Sequence, residues 1–399
     1  MGLNETVSAE RIHIGFFGLR NAGKSSLVNA ITGQSLSVVS DVKGTTTDPV
    51  KKAMELLPLG PVVIIDTPGI DDEGVLGEKR VHRTNEILSK IHIAVIVTDA
   101  NTSLSDKENE LVDLLKKRSV PYIVAYNKSD ISENKLDLKD NELLVSAVTG
   151  ENVDLLKAKL GQLSKTLAAP RFIVGDMLSE GDTVIMVTPI DESAPKGRLI
   201  LPQQLTLREL LDKKCTAVVC QPEQLKTTIE NLKNEPKLVI TDSQVFGRVA
   251  GALPPSVALT SFSILMARYK GDLEVLVDGA ARLSKIKNGD KILISEGCTH
   301  HRQCNDIGTV KMPRWIRDFT GCEPEFSFTS GGDFPDDLSG FSLVVHCGGC
   351  MLNEREMSYR LEKARAQGVP MVNYGVAIAM MHGILKRSLE IFPEIAERI

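Results

Sequence analysis

The sequence predicts an α/β protein in which an N-terminal, doubly wound parallel sheet is followed by two smaller α/β domains. Short apolar runs alternate with amphipathic stretches along the chain, which is typical of parallel strands joined by helices. A glycine-containing loop joins the first apolar run to the first helical stretch. The chain has 399 residues, of which 42% are hydrophobic and only 4% aromatic, so two or three domains with aliphatic cores are expected.

We predict three domains, at residues 8–168, 170–265 and 266–399. The first limit rests on Pro170, because proline ends the preceding helical stretch. The middle segment has apolar runs that predict further parallel strands, but no second phosphate-binding loop and no other catalytic motif. Its simplest interpretation is a scaffold or oligomerisation domain.

The loop after the apolar run 12–17 has the spacing of a phosphate cradle: Gly18, four further residues, then Gly-Lys-Ser. The glycines let backbone N–H groups close around phosphates, while Lys24 reaches the β- and γ-phosphates and the Ser25 hydroxyl ligates Mg²⁺. A chance match in a turn is the alternative, and two motifs downstream argue against it. The predicted phosphate-binding residues are Gly18, Asn21, Ala22, Gly23, Lys24, Ser25 and Ser26.

The second motif, Asp66-Thr67-Pro68-Gly69, follows the apolar run 62–65. An acidic residue at such a strand end holds Mg²⁺ through water in nucleotide-binding domains. The N–H of Gly69 is expected near the γ-phosphate. A simple turn is the alternative, but the preceding phosphate loop favours a functional role.

The third motif, Asn127-Lys128-Ser129-Asp130, follows the apolar run 120–126. The two oxygens of Asp130 can accept the N1–H and the 2-amino N–H of guanine, a donor pair that adenine lacks. A backbone N–H at 146–147 is expected to complete the base pocket. The predicted ligands are therefore GTP and Mg²⁺, and the predicted base-binding residues are Asn127, Lys128, Asp130, Ser146 and Ala147.

Over residues 8–167 these elements, in this order, resemble the Ras-like superfamily of P-loop GTPases. The run 44–48, Gly-Thr-Thr-Thr-Asp, is similar to the effector loop of the branch that contains the tRNA-modification and Era-like GTPases. By this resemblance Thr46 senses Mg²⁺, with Thr45 and Thr47 as alternatives. The resemblance implies GTP hydrolysis, and the implied catalytic residues are Lys24, Thr46, Asp66 and Gly69.

Two positions bear on the rate of that hydrolysis. Asn21 stands where potassium-dependent members of the branch carry a cation-ligating asparagine, and Ile70 stands where Ras-like enzymes carry the water-orienting glutamine. The resemblance therefore implies slow intrinsic hydrolysis, for which K⁺ supplies the missing positive charge. The alternative for Asn21 is a loop residue that tolerates an unusual backbone conformation.

Seven cysteines argue for thiols and metal ligation rather than a disulfide framework. Cys298 follows the predicted strand 291–295, while Cys347 and Cys350 follow the predicted strand 341–345. If the two strands are parallel neighbours, their carboxyl ends bring these thiols together at a helix start. Spacing alone favours zinc, because structural zinc sites with three cysteines and one histidine are common, and an iron–sulfur cluster and unrelated thiols are the alternatives.

A guanine-nucleotide domain followed by Cys-x-His at 298–300 and His-Cys-x-x-Cys at 346–350 resembles the HydF family of FeFe-hydrogenase maturation GTPases over the whole chain. The resemblance implies a 4Fe–4S cluster, a homodimer formed by the middle domain, and a scaffold or carrier for the diiron subcluster. The implied partners are two radical-SAM maturases and apo FeFe-hydrogenase. The implied cluster ligands are Cys298, Cys347 and Cys350.

Other ligand sets and another function remain open at this point. The fourth cluster position is expected to be filled by Asp306, His300, His346 or solvent, and Cys304 is an alternative thiol ligand. The alternative function is an Era-like or tRNA-modification-like GTPase with a C-terminal structural zinc site.

The net charge of the chain bears on which classes of partner are expected. A net charge of −5 without a stripe of Lys and Arg gives no reason to expect nucleic acid or an anionic membrane as a partner. The first residues lack the features of a signal peptide, and no apolar run approaches the roughly 20 residues of a membrane-spanning helix. We therefore expect a cytoplasmic protein.

Overall fold

The computed structural model describes residues 8–34, 50–70, 84–134, 136–167, 171–190, 199–297 and 306–399. The chain divides into two compact units, Met1–Ala169 and Pro170–Ile399, and each is described by itself.

A six-stranded sheet forms the centre of the first unit, in the order β2-β3-β1-β4-β5-β6. The strands are β1 Ile12–Phe17, β2 Val50–Leu56, β3 Gly60–Asp66, β4 Ile93–Asp99, β5 Tyr122–Asn127 and β6 Glu142–Leu144. Neighbouring strands run parallel, except that β2 is antiparallel to β3. The helices are Lys24–Thr32, Asp106–Lys117 and Val153–Thr166, residues 84–88 are also helical, and 3₁₀ turns lie at Ser8–Glu10 and Ser129–Ile131.

Apolar cores lie on both faces of this sheet. Ile14 and Phe16 of β1 pack in the same core as Leu27 of the first helix, whereas Phe17 belongs to the other core with Leu111. Strands that are buried on both faces read as nearly continuous apolar runs, which is the pattern seen in the sequence. The predicted doubly wound α/β fold is confirmed.

The sequence analysis does not predict β2. Its seven residues, Val-Lys-Lys-Ala-Met-Glu-Leu, are mostly exposed at the edge of the sheet. A polar edge strand carries no apolar run, and its lysines fit the charged residues that discourage edge-to-edge pairing.

The second unit contains two four-stranded parallel sheets, in the orders β10-β9-β7-β8 and β12-β11-β13-β14. The strands are β7 Thr183–Val187, β8 Thr216–Cys220, β9 Leu238–Thr241, β10 Ala258–Ser261, β11 Lys291–Glu296, β12 Glu325–Ser330, β13 Leu343–His346 and β14 Met371–Asn373. The helices are Leu201–Asp212, Leu225–Glu230, Phe246–Ala252, Phe262–Lys270, Leu273–Ala281, Met312–Thr320, Glu354–Ala366, Tyr374–Met381, Leu385–Ser388 and Pro393–Ala396. Shorter turns lie at Gly175–Met177, Pro222–Gln224, Ser243–Val245, Leu283–Lys285 and Ile307–Lys311.

One apolar core extends across both sheets of this unit. It includes Val184 and Ile240 of the first sheet, Leu293 and Val344 of the second, and Phe262 of a helix between them. That helix, which ends at Lys270, also runs across the predicted domain limit between 265 and 266. The limits within this unit stay a prediction.

No helix in the described part of the chain is long and apolar enough to cross a lipid bilayer.

Candidate functional site

The loop between β1 and the first helix closes tightly on its neighbours. Gly18 has a φ of 150°, and a Cβ built on it would lie 2.0 Å from the carbonyl oxygen of Val97. Gly23 has a φ of 86°, and its Cβ would lie 2.2 Å from Nδ2 of Asn127. Both positions therefore require glycine, for space as well as for backbone conformation. Asn21, between them, is exposed and also has a positive φ, of 61°.

Lys24 begins the helix directly after this loop and is only 8% exposed. Its ammonium donates hydrogen bonds to the carbonyl oxygens of Gly18, at 3.1 Å, and Leu19, at 2.8 Å. These bonds hold the positive charge at the centre of the loop, where the sequence predicts the phosphates.

Two of the residues predicted to bind Mg²⁺, Ser25 and Asp66, lie together. The Ser25 hydroxyl donates to Oδ2 of Asp66 at 2.7 Å, although the two residues are 41 positions apart. Asp66 is 3% exposed, and its Oδ1 has no hydrogen-bond partner among the described residues. A buried carboxylate oxygen without a donor fits a cation or its water shell, so these residues suit Mg²⁺.

The loop after Asp66 is fastened to β1 and to the phosphate loop. The backbone N–H and the hydroxyl of Thr67 both donate to the carbonyl of Phe16, at 3.2 and 2.7 Å. The N–H of Ile70 donates to the carbonyl of Gly18 at 3.1 Å. Gly69 lies between these attachments, beside the phosphate loop. Thr45, Thr46 and Thr47 lie outside the described residues.

Asn127 joins the phosphate loop to the predicted base loop. Its Nδ2 donates to the carbonyl of Ala22 at 3.0 Å, and its Oδ1 accepts the N–H of Ala147 at 3.0 Å. The hydroxyl of Ser146 donates to Oδ1 of Asp130 at 2.6 Å. Asp130 is exposed, so its carboxylate is held in place and open to solvent at once.

The sequence analysis did not identify two carboxylates that lie beside the predicted base loop. Asp99 accepts from the ammonium of Lys128 at 2.7 Å, and that hydrogen bond holds the pKa of Asp99 below its usual value. Glu151 accepts from the Ser129 hydroxyl at 2.7 Å. Asp99 ends β4 directly beside Asn127 at the end of β5, so the rule that sites gather at carboxyl strand ends could have found it.

The predicted cysteine site lies at the carboxyl edge of the second unit's β11–β13 pair. These strands are parallel neighbours, with Ser295 opposite His346. Cys347 follows β13, and its Sγ accepts the N–H groups of Gly297, at 3.1 Å, and Gly349, at 3.4 Å. The residue directly before Cys298 therefore contacts the sulfur of Cys347.

We call residues 347–352 the cysteine loop. Gly349 has a φ of 63°, which glycine adopts without strain. Burial raises the pKa of the Cys350 thiol and the Cys347 sulfur raises it further, while the nearby ammonium of Lys270 lowers it. Cys298, His300 and Cys304 lie outside the described residues, and within the described ranges no three His, Cys, Asp or Glu side chains are grouped to hold a metal.

His346 uses both ring nitrogens inside the protein. Nε2 lies 3.0 Å from Nη1 of Arg360, and Nδ1 lies 2.7 Å from the carbonyl oxygen of Cys347. Because a guanidinium only donates, Nε2 accepts and Nδ1 carries the proton. Arg360 is 1% exposed and also forms an ion pair with Glu356 at 2.8 Å. His346 therefore connects Arg360 to the cysteine loop through its two ring nitrogens.

Asp306 caps the turn Ile307–Lys311, because its Oδ2 accepts the N–H and the hydroxyl of Thr309, both at 2.8 Å.

Tyr374 and Glu296 form a further hydrogen-bonded pair near Asp306: the Tyr374 hydroxyl donates to Oε1 of Glu296 at 3.2 Å. Burial raises the pKa of Tyr374 far above its usual range, and the negative charges of Glu296 and Cys347 add to the rise. Glu296 and Tyr374 were missed from the sequence, although both stand at the carboxyl ends of strands.

Three family models match successive stretches of the chain. A model described as "50S ribosome-binding GTPase" matches residues 13–128. The hydrogen maturase F dimerization domain matches residues 173–271, and the hydrogen maturase F tetramerization domain matches residues 274–391. The two maturase models together cover more than half of the chain.

Individual relatives match over a shorter stretch. GTPase Der of Wolinella succinogenes is 37% identical over 165 residues, which are 37% of this chain and 35% of that protein. The tRNA modification GTPase MnmE of Desulforamulus reducens is 35% identical over 130 residues, which are 32% of this chain and 28% of that protein. The chain thus spans about a third of the length of these relatives.

Solved structures that match part of this chain include Aquifex aeolicus Era bound to GDP and AlF₄⁻, with 19% identity, a TM-score of 0.34, and coverage of 52% of this chain and 91% of that chain. The G domain of the T. maritima FeoB iron transporter has 22% identity, a TM-score of 0.31, and coverage of 39% of this chain and 99% of that chain.

The family of the chain follows from the doubly wound sheet with its phosphate loop and from the two hydrogen maturase F domains that follow it. The chain belongs to the hydrogen maturase F family and has an N-terminal GTPase domain.

Proposed function

We propose that this protein is a GTP-hydrolysing maturation factor that carries a 4Fe–4S cluster and serves as scaffold and carrier for the diiron subcluster of FeFe-hydrogenase. The observation that carries the proposal is the Cys347 sulfur, which accepts two backbone N–H groups beside the end of β11, directly before Cys298. Such hydrogen bonds stabilise thiolates, the form in which cysteine binds iron.

The nucleotide site supports the GTPase part of the proposal. Lys24 would hold the β- and γ-phosphates, Ser25 and Asp66 would hold Mg²⁺, and Asp130 would read guanine. Since the side chain of Ile70 has no amide group to orient the attacking water, hydrolysis is slow. K⁺ bound at Asn21 would supply positive charge to the transition state. The roles of Thr46 and Gly69 near the γ-phosphate rest on the resemblance of their motifs.

The cysteine site supports the iron part. Cys298, Cys347 and Cys350 would hold the cluster, which supplies redox-active iron with one position free of cysteine. His300, His346, Asp306 or solvent would fill that position. A weak ligand there suits a carrier, because it leaves an exchangeable iron.

The dimerization and tetramerization domains favour an oligomer of this chain. We propose two radical-SAM maturases and apo FeFe-hydrogenase as its further partners, in the cytoplasm. Nucleic acid is not proposed as a partner, because the net charge is −5.

A hydrogenase activation assay tests this function. The chain is purified anaerobically from cells that also produce both radical-SAM maturases, and is then mixed with apo FeFe-hydrogenase. Wild-type protein should restore hydrogen evolution, while Cys347→Ala should not. Cys322→Ala is the matched control, since Cys322 contacts the Ile286 carbonyl, away from the cysteine loop. Equal activation by the wild type and Cys347→Ala, or none by the wild type, would refute the proposal.

A further inference from the structure

Lys270 is a buried cation that reaches the cysteine loop from the end of the helix Phe262–Lys270. It is 3% exposed, and its ammonium donates to the carbonyl oxygen of Leu352 at 3.0 Å. Eighty-two positions of sequence separate the two residues. Burying an ammonium group costs free energy, so a lysine at this place needs interactions that compensate the cost.

Leu352 connects Lys270 to the two cysteines of the loop. Leu352 lies two residues after Cys350, and its side chain fills the space that a Cβ on Gly297 would occupy, with the nearest atom at 2.6 Å. The N–H of Gly297 in turn donates to the Cys347 sulfur. Lys270 is therefore linked through packed, hydrogen-bonded groups to both ends of the Cys-x-x-Cys segment.

The charge of Lys270 also matters at this place. A cluster with thiolate ligands is negatively charged, and a cation in the same low-dielectric region favours its reduced, more negative state.

We propose that Lys270 is a positioning residue of the cysteine loop: its hydrogen bond anchors the loop through Leu352, and its charge stabilises the bound thiolates. The second of these roles rests on the proposed iron–sulfur function. Lys270 binds no iron itself, so its removal should change the properties of the cluster rather than abolish it.

Hydrogen–deuterium exchange of the full chain without metal tests the anchor. Lys270→Met keeps most of the length of the side chain but removes the donor, and should speed exchange of the backbone amides at 348–353. Lys363→Met is the control, because Lys363 belongs to the same unit but pairs with Asp336. Unchanged protection of residues 348–353 in Lys270→Met would overturn the anchoring role.

A redox titration followed by EPR tests the charge. In anaerobically reconstituted protein, Lys270→Met should bind as much iron as the wild type but have a more negative midpoint potential. Lys270→Arg and Lys363→Met should stay at the wild-type potential. Equal potentials in all four proteins would overturn the electrostatic role.

Two outcomes separate this inference from the proposed function. Wild-type protein that binds no iron and sulfide would refute the cluster and the electrostatic role, and exchange alone would then decide the anchor. If Lys270→Met does not fold, Lys270→Gln retains a donor for Leu352 without the charge. It should keep the loop protected and still lower the potential, and a wild-type potential in this variant would overturn the electrostatic role.

Discussion

Asn127 illustrates, at the scale of a single residue, how one side chain can connect two motifs. Its side-chain amide donates a hydrogen bond to Ala22 of the phosphate loop and accepts one from Ala147 of the base loop. The motif around Asn127 is visible in the sequence, but these partners lie 105 and 20 positions away. Sequence spacing therefore predicts which residues act, and folding decides what each one touches.

Base recognition leads to the first residue-scale prediction. Asp130→Asn should weaken GTP binding by about 10- to 100-fold, the loss expected for a charged hydrogen-bond pair, and should improve binding of xanthine nucleotides. Calorimetric titration with both nucleotides measures this. Glu133→Gln, an exposed change three residues away, should bind like the wild type. Unaltered GTP affinity in Asp130→Asn would remove Asp130 from the base site.

The monovalent cation gives the second prediction. If Asn21 holds K⁺ near the phosphates, GTP hydrolysis in K⁺ buffer should exceed that in Na⁺ buffer by about tenfold, the scale of one stabilising charge. Asn21→Ala should lose most of this difference. Equal wild-type rates in the two salts would leave Asn21 as a loop residue with positive φ.

At the scale of elements, apolar strands were predictable from the sequence and polar edge strands were not. β1, β4 and β13 are apolar runs whose burial matches their sequence. The polar strands β2 and β12 lie at sheet edges and carry no such signal. The cysteine site was predictable for the same reason, since it follows β11 and β13, whereas the contacts made by Lys270 and Arg360 depend on tertiary packing.

A close helix–strand contact gives a prediction at this scale. Gly279 lies in the helix Leu273–Ala281, and a Cβ on it would lie 1.9 Å from the carbonyl oxygen of Met371 in β14. Gly279→Ala should therefore force the helix off the strand and lower the free energy of unfolding by about 1–3 kcal/mol. Gly247→Ala is the matched control, because within the described residues no atom beyond its chain neighbours and its own helix backbone lies within 4 Å of its Cβ position.

Replacing Gly247 in the helix Phe246–Ala252 should be neutral or stabilising by up to about 1 kcal/mol, since alanine favours the helix. Urea unfolding of both variants and the wild type measures the two changes. Equal stability of Gly279→Ala and Gly247→Ala would contradict the close packing of Gly279.

At the scale of the whole molecule, the two proposed sites belong to different compact units. Lys24→Ala should abolish GTP hydrolysis, because the ammonium at the centre of the phosphate loop is lost. Iron content and the EPR spectrum of the same variant should match those of the wild type. A Lys24→Ala protein that lost its iron would show that the cluster depends on an intact nucleotide site.

Analysis of iron, acid-labile sulfide and zinc in anaerobically purified protein tests the central claim most directly. The wild type, Cys304→Ala and Cys322→Ala should each contain about four iron atoms and four sulfides per chain, as a 4Fe–4S cluster requires. Cys298→Ala, Cys347→Ala and Cys350→Ala should each lose them. One zinc and no sulfide per wild-type chain would instead indicate a structural zinc site. Loss of the cluster from Cys304→Ala would also contradict the three-cysteine site.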